Sequence, residues 1–95
     1  MGRKLTLKKP LTIGKLAIES LTFRDETTAG DYLAFDRRGG VAQRIALIAS
    51  LSGTDEAVIM QLKGSDYRAA EKIADEIMEA DEMEAFGGEQ DQVKK

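Results

Sequence analysis

The side chains that could do chemistry in this chain are mainly carboxylates, because its 95 residues include no His and no Cys. Most nucleophilic catalysis and most tight metal binding use those two residue types. The densest acidic group is Asp75, Glu76, Glu79, Asp81, Glu82 and Glu84. Such a row at helical spacing predicts a solvated helix face, since Mg²⁺ or Ca²⁺ requires oxygens that converge on one point. We therefore expect a protein that binds partners, with no enzymatic activity, no cofactor and no metal.

Three arginines, Arg37, Arg38 and Arg44, surround a predicted turn between two short helices. Helix-turn-helix proteins also use a short helix pair to read DNA, so a small DNA-binding or regulatory protein is the alternative hypothesis. A recognition helix must expose polar side chains to base edges, however, and residues 45–51 are almost wholly apolar. The same arginines are equally suited to carboxylates on a protein partner.

The charge of the chain is distributed unevenly along its length. Residues 1–24 carry six basic side chains and one acidic side chain, whereas residues 65–95 carry ten acidic and four basic. The net charge of −3 argues against nucleic acid as the main ligand. No apolar run approaches the roughly 20 residues that span a bilayer, so we expect no membrane partner.

Alternation of apolar and polar residues predicts an N-terminal β-hairpin over about residues 4–23. Leu5 and Leu7 begin the pattern, and Gly14-Lys15 forms the turn. Pro10 cannot donate a ladder hydrogen bond, which places the first strand at an edge or changes its pairing there. A change of parity in the second strand predicts a bulge or bend near Glu19-Ser20.

The rest of the chain predicts three to four helices, at about residues 28–38, 41–52, 55–62 and 66–85. Thr27 or Thr28 is expected to cap the first helix, and Gly39-Gly40 to end it. We expect Thr54 to cap the third helix and Ser65 to start the fourth. The predicted fold is α+β, with one small domain over residues 1–86 and a disordered tail over 87–95.

Several apolar side chains have two interpretations. The second helix is apolar almost all round, so it is either the central core helix or a surface covered by a partner. Tyr32, Phe35 and Met78 are core candidates that would also suit an adaptable binding patch. We predict that the hairpin strand and the second helix form the binding surface. The candidate contact residues are Leu5, Leu7, Tyr32, Phe35, Arg37, Arg38, Arg44, Leu47, Ile48, Leu51 and Met78. A charge at Leu47 or Ile48 is then expected to abolish binding without unfolding the chain.

The order of these features resembles the tail assembly chaperones of Mu-like and P2-like long-tailed bacteriophages and prophages. The resemblance covers roughly residues 4–80. It is carried by the segments Leu5-Thr6-Leu7-Lys8-Lys9-Pro10, Leu21-Thr22-Phe23-Arg24, Thr28-Ala29-Gly30-Asp31, Leu51-Ser52-Gly53 and Asp66-Tyr67, with the turn at Gly14. No single segment is specific, and the order and spacing of the segments carry the likeness.

The resemblance implies a non-enzymatic chaperone that binds the tail tape-measure protein during assembly and is not kept in the mature virion. Tail tube subunits and a longer, frameshifted version of the chain are further partners that it implies, and self-association stays open. The implied location is the cytoplasm of the bacterial host. A chaperone that presents apolar surface agrees with the lack of reactive side chains.

Overall fold

The computed structural model describes residues 2–36 and 39–87 of the chain. It confirms the α+β class, with a hairpin of β1 (Arg3–Ile13) and β2 (Leu16–Phe23) followed by α1 (Ala29–Asp36), α2 (Gly40–Ser52), α3 (Glu56–Ile59) and α4 (Gly64–Glu82). A π-helical turn, Met83–Gly87, continues α4. Arg37, Arg38 and all of the predicted tail except Gly87 lie outside the described residues.

The strands are antiparallel and joined by the predicted two-residue turn at Gly14-Lys15. Ile13 pairs with Leu16 across the turn. Gly14 has a φ of +61°, which glycine adopts without steric cost. Glycine at the first central position is typical of type II′ turns, whose twist matches that of the flanking strands.

The hairpin changes register once, close to the predicted position. Thr6 pairs with Ser20 and Leu11 pairs with Ile18, so five steps along β1 correspond to two steps along β2. The three extra residues therefore lie on the first strand, whereas we had placed the irregularity on the second strand. The extra segment includes Pro10, which has no N–H for the ladder.

A buried carboxylate in the first turn of α4 binds the irregular part of β1. Asp66 accepts hydrogen bonds from the backbone N–H groups of Lys8 at 2.9 Å and Lys9 at 3.0 Å. These donors lie where the β1–β2 pairing is interrupted. Because N–H groups that leave the ladder still need acceptors, Asp66 supplies acceptors to the irregular part of β1 and joins the hairpin to α4.

The core lies between the inner face of the hairpin and the helices, with α2 at its centre. The side chains of α2 that we had offered as a binding surface, Leu47, Ile48 and Leu51, are at most 1% exposed. They pack with Phe23 of β2 and Ile59 of α3 in one cluster. The buried face of α4 is formed by Ala70, Ala74 and Ile77.

The last carbonyl groups of α2 accept hydrogen bonds from backbone and side-chain donors outside the helix. Gly53 has a φ of +64° and donates to the carbonyl of Ser50. Thr54 N–H donates to the carbonyl of Ala49, which completes a Schellman motif. The backbone N–H of Arg24 binds the carbonyl of Leu51, and its guanidinium binds the carbonyl of Ser50. The end of β2 is thereby fixed to the end of α2.

Three details of the helices differ from our expectations. The third helix covers only Glu56–Ile59, and its N-cap is Asp55 instead of Thr54. The hydroxyl of Thr54 donates instead to the carbonyl of Ser52. The last helix begins at Gly64, ahead of Ser65. Within the described residues, no helix has both the length and the apolar character needed to cross a membrane.

Replacing Asp66 should loosen the attachment of the hairpin to α4. Asp66→Ala leaves two backbone N–H groups without their acceptor, so we expect a loss of about 2–3 kcal/mol in the free energy of unfolding, measured with urea. Glu79→Ala, on the exposed part of the same helix, should change it by less than about 0.5 kcal/mol. Equal effects of the two substitutions would contradict the role of Asp66.

Candidate functional site

The structure separates the candidate contact residues into inaccessible and accessible groups. Leu7, Leu47, Ile48 and Leu51 are buried in the core. A partner cannot touch them without opening the fold, so the second helix is not the surface that we expected. The physical reason is that the apolar side chains in the second half of α2 are covered by α1, α3, α4 and β2 of the same chain. The binding role of the remaining candidates stays a prediction.

Three of the remaining candidates come together beside α1. An open groove between α1 and α4 is lined by Ala29, Tyr32, Leu33, Phe35, Asp36 and Met78. Phe35 and Met78 are partly buried and pack against the core, whereas Leu33 is 54% exposed. We call this feature the α1–α4 groove. Its floor is apolar, and its exposed leucine needs no unfolding to reach a partner.

Leu33 is a groove residue that was not among our candidates. Ala29, Tyr32, Leu33 and Asp36 have the spacing that places residues on one face of a helix. That spacing was a usable signal, but sequence alone does not tell whether this face is covered.

The other candidate residues lie elsewhere: Leu5 packs against the core from β1, and Arg37 and Arg38 lie outside the described residues.

Hydrogen bonds to one carboxylate tie α1 and the loop before it to α4. The hydroxyl of Tyr32 donates to Asp81 at 2.6 Å. The hydroxyl of Thr27 donates to the same carboxylate oxygen. The hydrogen bond to Asp81 is the main reason that the pKa of Tyr32 lies above its ordinary value of 10.0. Tyr32 therefore stays protonated and keeps one edge of the groove in place.

Arg44 reaches from α2 to α4 and to the ring of Phe35, which lines the groove. Its guanidinium forms an ion pair with Asp75 of α4. The guanidinium carbon also lies 5.9 Å from the centre of the Phe35 ring, within cation–π range. The hydrogen bond to Asp75 raises the pKa of Arg44 above its ordinary value. Arg44 thus contacts Phe35 of the groove, and its charge is matched by Asp75 within the chain.

A buried carboxylate, Asp31, fixes the start of α1. It accepts hydrogen bonds from the backbone N–H of Thr28 at 2.8 Å, from the guanidinium of Arg24 at 2.7 Å and from the hydroxyl of Ser50. The hydroxyl of Thr28 accepts a long hydrogen bond of 3.4 Å from the N–H of Asp31. This reciprocal pair is a capping box, so Thr28 is the cap of the first helix.

The protonation of Asp31 reflects two opposing influences. Burial alone would raise the pKa of its carboxyl, but hydrogen bonds from Arg24, Ser50 and Thr28 outweigh burial. The net pKa is therefore below the ordinary value of 3.8. Asp31 is only 2% exposed, so the folded chain holds a buried charge with its partners satisfied.

Acidic side chains border the α1–α4 groove. Asp36 lies at its α1 side, and an adjoining hollow that shares Tyr32 and Met78 is lined by Asp75, Glu79 and Glu82. We call these four carboxylates the acidic rim. Among the described residues, no three acidic side chains are arranged to hold a metal ion. The arrangement is suited to contact with another chain, through an apolar floor and a charged border.

Neutralising Asp31 should destabilise the chain in a pH-dependent way. A carboxylate whose pKa is lowered by folding contributes stability above its unfolded pKa, near 3.8, and loses that contribution as the pH falls through the folded value. We expect Asp31→Asn to cost about 2–3 kcal/mol at neutral pH in urea unfolding. The difference in free energy of unfolding between the wild-type chain and Asp31→Asn should shrink below the unfolded pKa. Asp55→Asn is the control, and a deficit that does not vary with pH would contradict the role of the charge.

Glutamate substitutions should distinguish core from surface leucines. Leu47 is 1% exposed and Leu33 is 54% exposed. Leu47→Glu buries an unpaired charge and is expected to cost more than about 4 kcal/mol, a large part of the stability of a small domain. Leu33→Glu should keep the helical circular dichroism signal and the melting temperature nearly unchanged. A folded Leu47→Glu protein would show that α2 is not the core helix.

Comparison with known proteins identifies the family. Residues 4–79 match the model of a family described as phage tail assembly chaperone proteins, E, or 41 or 14. A search of curated proteins and a search of solved structures each found no match. The matched segment contains β1 without Arg3, all of β2 and α1–α3, and most of α4. It therefore includes every residue of the α1–α4 groove and its rim except Glu82. The chain belongs to this family of phage tail assembly chaperones.

Proposed function

We propose that this tail assembly chaperone binds the tape-measure protein while the tail is being built. The exposed apolar floor of the α1–α4 groove, in a chain of this family, is the observation that carries the proposal. A tape measure is a long, helix-rich chain whose apolar surface is exposed before the tube encloses it. Covering that surface reversibly would prevent premature association.

The residues that line the groove suit a helical segment of a client. Exposed and half-exposed apolar residues on α1, with Met78 of α4, form a strip along which an amphipathic helix can lie. The contact need not be large, because transient complexes bury less than the roughly 800 Å² per partner of stable ones. Release of the client, which an assembly chaperone requires, is easier from such a surface.

Catalysis is not part of the proposed role. The family is one of chaperones, and the chain has neither His nor Cys to act as a base or nucleophile. The groove offers carboxylates at its border and no convergent set of reactive groups. We therefore infer that the protein works by binding and release alone.

The DNA-binding alternative is not favoured by the arrangement of the helix pair. The apolar face of α2 is buried, and Arg44 forms an ion pair with Asp75 instead of pointing to an open surface. The accessible face beside α1 is bordered by carboxylates, which would repel phosphates.

Further features of the role are proposals that follow from membership of the family. Tube subunits and a longer frameshifted product of the same gene are candidate partners besides the tape measure, and self-association is another. The proposed place of action is the cytoplasm of the bacterial host, before the tail is complete. Each of these would be tested by isolating the chaperone from infected or induced cells with its bound proteins.

Co-expression with the tape-measure protein tests the proposed client directly. We expect the tagged wild-type chain to co-purify with it, and Leu33→Glu to reduce the recovered client at least about tenfold, because a charge would be placed on the apolar floor. Leu16→Glu is the matched control, since Leu16 is 59% exposed at the hairpin tip, away from the groove. Full recovery with Leu33→Glu would place the client elsewhere. No recovery with the wild-type chain would overturn the proposed function.

A further inference from the structure

The acidic rim carries negative charge that the described chain does not balance. Asp75 is paired with Arg44. In residues 2–36 and 39–87, no ion pair involves Glu79 or Glu82, and both line the hollow beside Met78. Asp36 adds a further carboxylate from the end of α1. A segment lying on the apolar floor would therefore meet carboxylates from both helices.

From this geometry we infer that the α1–α4 groove selects an amphipathic helix whose apolar stripe is flanked by Lys or Arg. The inference rests on the proposed function and specifies the chemistry of the client segment. Basic side chains at the edges of the stripe would reach the carboxylates of Asp36, Glu79 and Glu82. An acidic-flanked helix of the same apolar content would meet like charges, so the rim rejects it.

The floor and the rim contribute differently to binding. Apolar contact with Leu33, Tyr32 and Met78 supplies the affinity, because removing apolar surface from water is the main favourable term. Exposed ion pairs add little affinity each, but they accelerate encounter and suppress wrong partners. The rim therefore contributes more to the specificity of binding than to its affinity. Its effect must weaken as salt is added, because salt screens exposed charges.

The same charges argue against a second copy of this chain as the occupant. Two copies joined groove to groove would bring two acidic rims together, and the chain as a whole carries a net charge of −3. The described basic residues of the hairpin do not form a helix that could enter the groove, because they lie on β1, its turn and the end of β2. A different chain with a basic-flanked helix is the better match.

Three synthetic helical peptides test the inference with the full chain. All share one leucine stripe, and their flanking positions are Lys, Gln or Glu. Fluorescence anisotropy at low salt should show the Lys-flanked peptide binding about tenfold more tightly than the Glu-flanked peptide, with the Gln-flanked peptide between them. High salt should reduce the ratio to about twofold or less.

Paired charge variants connect the preference to the rim. Glu79→Gln with Glu82→Gln should remove most of the Lys-over-Glu preference while leaving the Gln-flanked peptide bound about equally. Glu19→Gln with Asp55→Asn removes the same number of charges away from the groove and should leave the preference unchanged. Leu33→Glu should weaken all three peptides.

The possible results separate this inference from the proposed function. Equal binding of the three peptides, a preference that survives the rim double variant, or no binding at all would overturn the inference. If the wild-type chain forms a dimer and Leu33→Glu dissociates it, the groove binds a second copy of the chain, and the inference is also overturned. A tape measure that co-purifies without any charge preference would leave the proposed function intact. A charge preference without tape-measure recovery would overturn only the proposed function.

Discussion

The buried carboxylate of Asp31 is the interaction on which the arrangement of the helices depends. It receives donors from the end of β2, the start of α1 and the last turn of α2, through Arg24, Thr28 and Ser50. A charge that is 2% exposed is tolerated only when its hydrogen bonds are made, so these three elements are held in one geometry. The guanidinium of Arg24 also donates a hydrogen bond to the carbonyl of Ser50, which places a favourable positive charge at the C-terminus of α2.

This arrangement explains why a chaperone of this size can expose apolar side chains and remain folded. The core is completed by α2 with the hairpin face and α4, so the outer face of α1 is not needed for folding. Tyr32 and Asp81 link α1 to α4, and Arg44 pairs with Asp75 of α4 while contacting the ring of Phe35. The groove is thus built on helices that other contacts have already positioned, which favours binding without a large rearrangement.

The hairpin, the class of the fold and the cap of the first helix were predictable because they depend on local signals: alternation, Gly14 and Thr28. The burial of α2 was not predictable from the sequence, since an apolar helix suits both a core and a surface that a partner covers. The buried hydrogen bonds of Asp31 and Asp66 were not predicted, because most of their partners lie on other elements. The acidic rim joins residues of α1 and α4 that are far apart in sequence, so only the tertiary structure brings them together.

The position of the client on the chaperone is measured most directly by methyl NMR. The chain would carry labelled leucine and methionine methyl groups and would be titrated with the tape-measure protein. We predict that the signals of Leu33 and Met78, on the α1–α4 groove, change first and most, while Leu16 at the hairpin tip is unaffected. Changes confined to Leu16 and its neighbours, with Leu33 and Met78 unmoved, would contradict the assignment of the groove.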